Sequence, residues 1–149
     1  MRQMPTGAKL IAALCYAAIG WQAAVFFEPV LSDVQRSTWF VPLNAALGIL
    51  IGWRVMGRMV GGTYGAALRG GIYSSIWLFF WSLLGFSLWE MIDRSLAKRY
   101  RHPTEALGNA LEIGAYYFKL AMQADVLAVL LLGGLIAGLI TEFTSRRWS

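Results

Sequence analysis

Long apolar runs constrain this chain more than any other feature of its sequence. They fill most of its 149 residues and are separated by short polar connectors. A helix rises about 1.5 Å per residue and needs roughly 20 residues to cross the hydrocarbon core of a bilayer. Hydrophobic residues make up 58% of the chain and charged residues 14%, which excludes a soluble globular domain. The runs therefore predict four transmembrane helices, at about residues 8–27, 39–57, 71–92 and 126–143.

The segment 103–123 has a different pattern, because polar and apolar residues recur on separate sides at helical spacing. The polar side holds Glu105, Asn109, Glu112, Tyr116, Lys119 and Gln123. The apolar side holds Leu107, Leu111, Phe118 and Met122. Such a helix is typical of the membrane interface, and we expect it to lie flat there or against the bundle. The expected fold class is an all-α membrane protein of one integral-membrane domain, residues 1–149. It has four transmembrane helices and one amphipathic interfacial helix between the third and fourth.

The connectors carry their own signals. Gly61, Gly62 and Gly65 predict a turn after the second span, because repeated glycine weakens a helix and permits positive φ. Asp125 is expected to cap the fourth span. A cleaved signal peptide is the alternative interpretation of the first run. Its apolar core is longer than the usual 7–15 residues and no small-residue cleavage site ends it, which favours a transmembrane helix.

Basic residues cluster beside the apolar runs and give the chain a net charge of +5. This placement sets membrane topology and favours contact with anionic lipid headgroups, and it does not favour nucleic-acid binding. The residues expected to contact headgroups are Arg94, Lys98, Arg99 and Arg101. The count of basic residues on the two sides is nearly equal, and it weakly favours both termini in the cytoplasm. The dense cluster from Arg94 to Arg101 instead favours its own connector as cytoplasmic.

Residues that could carry chemistry are sparse. Cys15 and His102 are single residues of their type, so a metal site, a haem or a thiol redox pair is not expected. Cys15 lies within the first run, where it is expected to pack as a small apolar residue. The glycines near Gly61 lack the Lys-Ser/Thr of a phosphate-binding loop. We therefore expect no enzyme activity and no cofactor.

Four polar residues lie within or beside the predicted spans: Asn44, Arg54, Glu90 and Glu142. Ionisable residues at membrane depth mark function by default, but near a span end they also snorkel or form structural ion pairs. Asn44 is expected to bond a neighbouring helix. Arg54 and Glu142 should share one membrane face, so we predict an ion pair between them, structural first and anion-gating second.

Two small-xxx-small pairs occur in the spans, namely Gly48 with Gly52 and Gly134 with Gly138. Such pairs let helix backbones approach closely in lipid. We expect them to pack helices within the chain. Contact with a second copy or a partner subunit is the alternative.

Several strings resemble TrgA-like tellurium-resistance proteins. They are MPTGAKL at 4–10, VPLNAALG at 41–48, GWRVMG at 52–57 and GGLIAGL at 133–139. The resemblance covers essentially the whole chain, and GWRVMG is its most specific piece. Arg58 departs from the pattern, which has proline there. Three residues precede Met4, so either Met1 or Met4 starts the protein.

The resemblance implies a small multi-pass protein of the bacterial inner (cytoplasmic) membrane, linked to resistance to tellurium oxyanions. The mechanism of that family is not established, so no catalytic residue carries over. One function is a membrane component of oxyanion tolerance. The alternative is an accessory subunit that packs on a larger membrane complex, respiratory or photosynthetic. The partners expected are membrane lipids, including anionic headgroups, and either such a complex or a homo-oligomer.

Overall fold

Five long helices make up most of the described chain. The computed structural model describes residues 6–30, 38–96 and 102–148. The helices are α1 (Thr6–Phe27), α2 (Phe40–Met59), α3 (Tyr64–Leu96), α4 (Pro103–Ala121) and α5 (Ala124–Arg147). All except α4 are long and apolar enough to cross a membrane. The prediction of four spans and one non-spanning helix between the third and fourth is confirmed.

The four long apolar helices cross near one level. Gly48 of α2 lies against the Tyr16 carbonyl of α1, and Gly71 of α3 lies against the Gly134 carbonyl of α5. The Tyr16 hydroxyl donates to the Gly71 carbonyl at 2.6 Å and so joins α1 to α3. Because Tyr16, Gly48 and Gly134 lie near the middle of their helices, this level marks the centre of the bundle.

The position of α3 along the bundle axis differs from the one that the predicted span implies. The helix has 33 residues, about 50 Å, and its Gly71 lies at the centre of the bundle. The predicted span 71–92 has its middle about ten residues later along the helix. Phe86 contacts Phe40 in the first turn of α2, with 4.9 Å between ring centroids. The last ten residues of α3 therefore extend beyond the start of α2.

The turn between α2 and α3 is shorter than expected. Gly61 adopts a φ of 103°, which only glycine tolerates easily. Thr63 caps the next helix, since its Oγ1 accepts the Ala66 N–H at 3.2 Å. Gly65 consequently lies inside α3 rather than in the turn.

Helix α4 runs antiparallel to the second half of α3. Gly114 lies beside Ser87, and Phe118 contacts Phe79 with 5.9 Å between ring centroids. The axis of α4 is therefore aligned with the axis of α3, with the opposite chain direction, and α4 does not lie flat across the bundle. Its buried residues are Ile113, Tyr117 and Ala121. The predicted apolar side stays largely exposed at Leu107, Leu111, Phe118 and Met122.

Helix α5 begins earlier than predicted. Its N-cap residue is Gln123, whose side chain makes no capping hydrogen bond. The prediction that Asp125 caps this helix is wrong, because the helix already begins at Ala124. Asp125 lies in the first turn, where its negative charge is favourable beside the positive end of the helix dipole.

Four aromatic side chains close one end of the bundle, one from each of α1 to α4. They are Phe27, Phe40, Phe86 and Tyr117. Each contacts two others in a closed ring, with centroid distances from 4.6 to 6.3 Å. This aromatic ring fixes α4 and the end of α3 to the ends of α1 and α2.

Candidate functional site

The end of the bundle opposite the aromatic ring is rich in basic residues. The Lys9 side chain of α1 packs on Gly57 near the end of α2, and the Trp148 ring after α5 packs on Gly7. The Gly61 N–H hydrogen-bonds the Glu142 side chain of α5. These contacts place the start of α1 and the ends of α2 and α5 together. We call this end the basic end, and its described cations are Lys9, Arg54, Arg58, Arg146 and Arg147.

Glu142 is the one carboxylate at the basic end within the described ranges. Its side chain is 1% exposed. Its Oε2 accepts the Gly61 N–H at 2.9 Å, and its Oε1 accepts Arg146 Nε at 3.0 Å. A buried carboxylate is costly unless it is paired and hydrogen-bonded, and both conditions hold here.

Arg146 extends this contact to the turn between α2 and α3. Its Nη2 donates to the Gly62 carbonyl at 2.9 Å, and its guanidinium carbon lies 4.4 Å from the centroid of the Tyr64 ring. Glu142 thus binds the Gly61 N–H and Arg146 binds the Gly62 carbonyl. Both side chains come from a helix that lies more than 80 residues further along the chain. We call Gly61, Gly62, Glu142 and Arg146 the loop clamp.

The predicted ion pair between Arg54 and Glu142 is wrong. Both carboxylate oxygens of Glu142 are engaged within the loop clamp, and Arg54 is exposed on α2. Arg146 is the partner of Glu142 because it lies one helical turn later on the same helix, so their pairing does not depend on how two helices align. Arg54 lies in a π-helical turn, Gly52–Met56, whose Gly52 faces α1.

The opposite end of the bundle holds most of the acidic residues. Glu90 pairs with Arg94 one turn later on α3, at 2.9 Å. The predicted headgroup contacts Lys98, Arg99 and Arg101 lie outside the described residues. The other described acids here are Glu28, Asp93, Glu105, Glu112 and Asp125. Most of the described acidic residues therefore lie at the aromatic-ring end.

Buried hydroxyl groups join the helices between these two ends. Ser75 Oγ of α3 donates to the Leu130 carbonyl of α5 at 2.7 Å, in addition to the bond from Tyr16. Asn44, expected to bond another helix, instead donates from Nδ2 to the Phe40 carbonyl of its own helix at 2.9 Å. Sequence reasoning missed Tyr16 and Ser75. The signal was the spacing of Gly71 and Ser75 on one face of α3.

The four predicted packing glycines all lie in contacts within the chain. Gly48 and Gly52 face α1, where an added Cβ would overlap the carbonyls of Tyr16 and Ala12. Gly134 and Gly138 face α3 in the same way. A Cβ on Gly138 would lie 2.6 Å from the Ala67 carbonyl oxygen.

Two hydroxyl groups near the aromatic ring have no hydrogen-bond partner among the described residues. They are Ser87 Oγ and Tyr117 OH, both fully buried. Burial raises the pKa of the Tyr117 phenol above its ordinary value, and the negative charge of Glu90 raises it further. The phenol therefore remains neutral at physiological pH.

The described ranges contain no group of three histidine, cysteine or carboxylate side chains that could hold a metal ion. Cys15 is half-buried in α1, and His102 is exposed at the N-cap position of α4.

No family model, curated protein or solved structure matches this chain.

Proposed function

We propose that this chain is a non-catalytic protein of the bacterial inner membrane, related to the TrgA-like proteins, that supports tolerance of tellurium oxyanions. One observation supports it above the others. At the basic end, the single described carboxylate is that of Glu142, which is buried and already bonded to the Gly61 N–H and to Arg146. The exposed guanidinium groups of Arg54 and Arg58 therefore remain available to anions.

The chemistry of these groups fits an oxyanion or a lipid phosphate. A guanidinium is always charged and binds such anions through two parallel hydrogen bonds. Cations at a membrane surface also raise the local concentration of anions over roughly 8 Å at physiological ionic strength. We propose that this end, with both termini, faces the cytoplasm, because the count of basic residues favours that side by a small margin. The basic end then faces the anionic inner leaflet and any oxyanion that has entered the cell.

A complementation experiment tests this function. A strain that lacks the gene receives the wild type, R54Q/R58Q, or the control K119Q, which removes a charge on α4 at the other end. We expect the wild type and K119Q to restore growth in tellurite. We expect R54Q/R58Q, at equal membrane abundance, to fall to the level of the deletion strain. Full tolerance with R54Q/R58Q contradicts the proposal.

A second candidate function is an accessory subunit of a larger membrane complex, respiratory or photosynthetic. The observation that favours it is the outer face of α3, where Tyr73, Ile76, Phe80 and Trp81 are exposed along one stripe. Aromatic residues are enriched in the cores of protein interfaces. Purification in mild detergent separates the two functions. A large partner in stoichiometric amount, lost in F80A but retained in F143A on α5, supports the subunit function.

A further inference from the structure

A small cavity lies where all five helices meet, on the inner side of the aromatic ring. Its volume is about 50 Å³. The four side chains of the aromatic ring line one part of it, and residues one or two turns nearer the bundle centre line the rest. Most of these described lining residues are apolar, and none of them is charged. The polar exceptions, besides the hydroxyl-bearing Tyr117, are Asn44 of α2 and Ser82 of α3.

Asn44 and Ser82 lie at the same level of the bundle. The tight turn at Gly61 makes α2 and α3 antiparallel, and the Phe40 ring contacts the Phe86 ring with 4.9 Å between centroids. Asn44 lies one helical turn after Phe40 on α2, and Ser82 lies one helical turn before Phe86 on α3. Both steps lead from the aromatic ring toward the bundle centre. The two polar side chains therefore belong to one layer of the α2–α3 contact.

The side-chain oxygens of these two residues have no hydrogen-bond partner among the described residues. The Asn44 side chain is 5% exposed, and its Nδ2 bond stays within α2, so Oδ1 is left over. Ser82 lies one turn after Leu78, on the buried face of α3. Unlike Ser87 Oγ and Tyr117 OH, both oxygens keep some accessible surface. Because both residues lie on buried helix faces and line the cavity, this surface faces the cavity.

We propose that the cavity is a binding site for a water molecule that bridges Asn44 and Ser82. Water donates one hydrogen bond to Oδ1 of the amide and accepts another from the serine hydroxyl, so it satisfies both groups at once. A site for one water needs about 10–15 Å³ and two or more polar partners, and the cavity meets both conditions. An ion does not fit this lining, because no described residue offers the opposite charge.

The depth of the site explains why the bridge matters. Asn44 precedes Gly48, which lies at the centre of the bundle, by four residues, or about 6 Å along the helix. At this depth no bulk water is available, and a polar group without a partner is costly. The bound water supplies the polar contact between α2 and α3 that Asn44 does not make directly.

Nuclear magnetic resonance of the labelled protein in deuterated detergent micelles tests the proposal. We expect a rotating-frame cross-peak between water and the Asn44 side-chain amide, with the sign that distinguishes proximity from proton exchange. S82A removes one partner of the water and should weaken this cross-peak several-fold. S74A is the matched control, because Ser74 is also buried on α3 but contacts Met56 Sδ and does not line the cavity. No cross-peak in the wild type, or equal cross-peaks in wild type and S82A, overturns the proposal.

A double-mutant cycle tests the bridge through stability. N44A and S82A should each raise the equilibrium constant of unfolding in mixed micelles, because each leaves the other group without its bridge. In N44A/S82A that constant should lie about fivefold below the product of the single effects, since linked groups are not additive. N44A/S74A should give the simple product. A simple product for N44A/S82A refutes the bridge. Coupling without the water cross-peak indicates a direct bond between the two side chains and also refutes it.

Discussion

Replacing Gly48 with alanine adds one methyl group where α1 leaves no room for it. The new Cβ would overlap the Tyr16 carbonyl oxygen and lie 2.6 Å from its carbonyl carbon. Ordinary contact begins at 3.4 Å, so the two helices must separate by at least about 0.8 Å, the difference between these two distances. A backbone carbonyl in a helix cannot rotate aside as a flexible side chain does. The strain therefore falls on the whole α1–α2 contact.

The magnitude follows from the dispersion energy lost across that contact. A gap of 0.5–1 Å forfeits a quarter to a half of each atom pair's attraction of about 0.1–0.2 kcal/mol. For about 40 atom pairs the loss is roughly 1–4 kcal/mol, which agrees with the usual cost of overpacking of about 1–3 kcal/mol. We therefore expect G48A to lower the free energy of unfolding by about 2 kcal/mol.

The assay is reversible unfolding in mixed micelles, with the fraction of denaturing detergent increased stepwise and helicity followed by circular dichroism. G108A is the matched control, because a Cβ at Gly108 of α4 meets no atom within 4 Å. Alanine is the better helix former by about 0.5–1 kcal/mol, so G108A should stabilise the protein. If G48A unfolds at the same detergent fraction as the wild type, the close α1–α2 contact is refuted.

Three further predictions concern other parts of the chain. Y117F removes an unpartnered buried hydroxyl and should stabilise the protein by about 1 kcal/mol at pH 7 in the same assay. The pKa of Tyr117 is raised in the folded state, so above about pH 10 the unfolded chain loses this proton first and the free energy of unfolding of the wild type should fall. The free energy of unfolding of Y117F should fall less over the same pH range. E142A leaves the Gly61 N–H without its acceptor and should destabilise by about 2 kcal/mol, whereas E142Q, which keeps an acceptor oxygen, should cost less, as detergent unfolding will measure. In membrane vesicles E112C should react with an aqueous thiol reagent and L111C should not, because only the polar side of α4 faces water; equal reactivity contradicts this orientation.

Helix number followed from the sequence because a membrane span needs a fixed length of apolar residues, and that requirement is local. The register of α3 did not follow. Hydropathy counts Trp89 and Ile92 as membrane residues, whereas the level of this helix is set by the contact of Gly71 with α5. The same limit applies to α4. Its most hydrophobic residues, among them Leu111, stay exposed, and the bundle is contacted through the adjacent side at Tyr117.

The sequence allowed some residues of the candidate site to be predicted, but not the partners that these residues bind. The position of Glu142 at a span end identified it as a residue with a special role. Its partners depended on how the turn at Gly61 approaches α5, which no local pattern encodes. Tyr16 and Ser75 were missed because a hydroxyl adds little polarity to an apolar run. Their importance comes from the carbonyl groups that they meet on other helices.

The position of α5 has a consequence for how the protein is made. α5 is translated after the other spans, yet it contacts α1 at Ile19 and α3 at Gly71, and it supplies the acceptor for the Gly61 N–H. Until α5 leaves the ribosome, those glycine surfaces face lipid and the turn at Gly61 lacks its partner. Membrane insertion of α1 to α3 therefore yields an open intermediate, and the arrival of α5 closes it. A nascent chain that stops before α5 keeps these surfaces exposed.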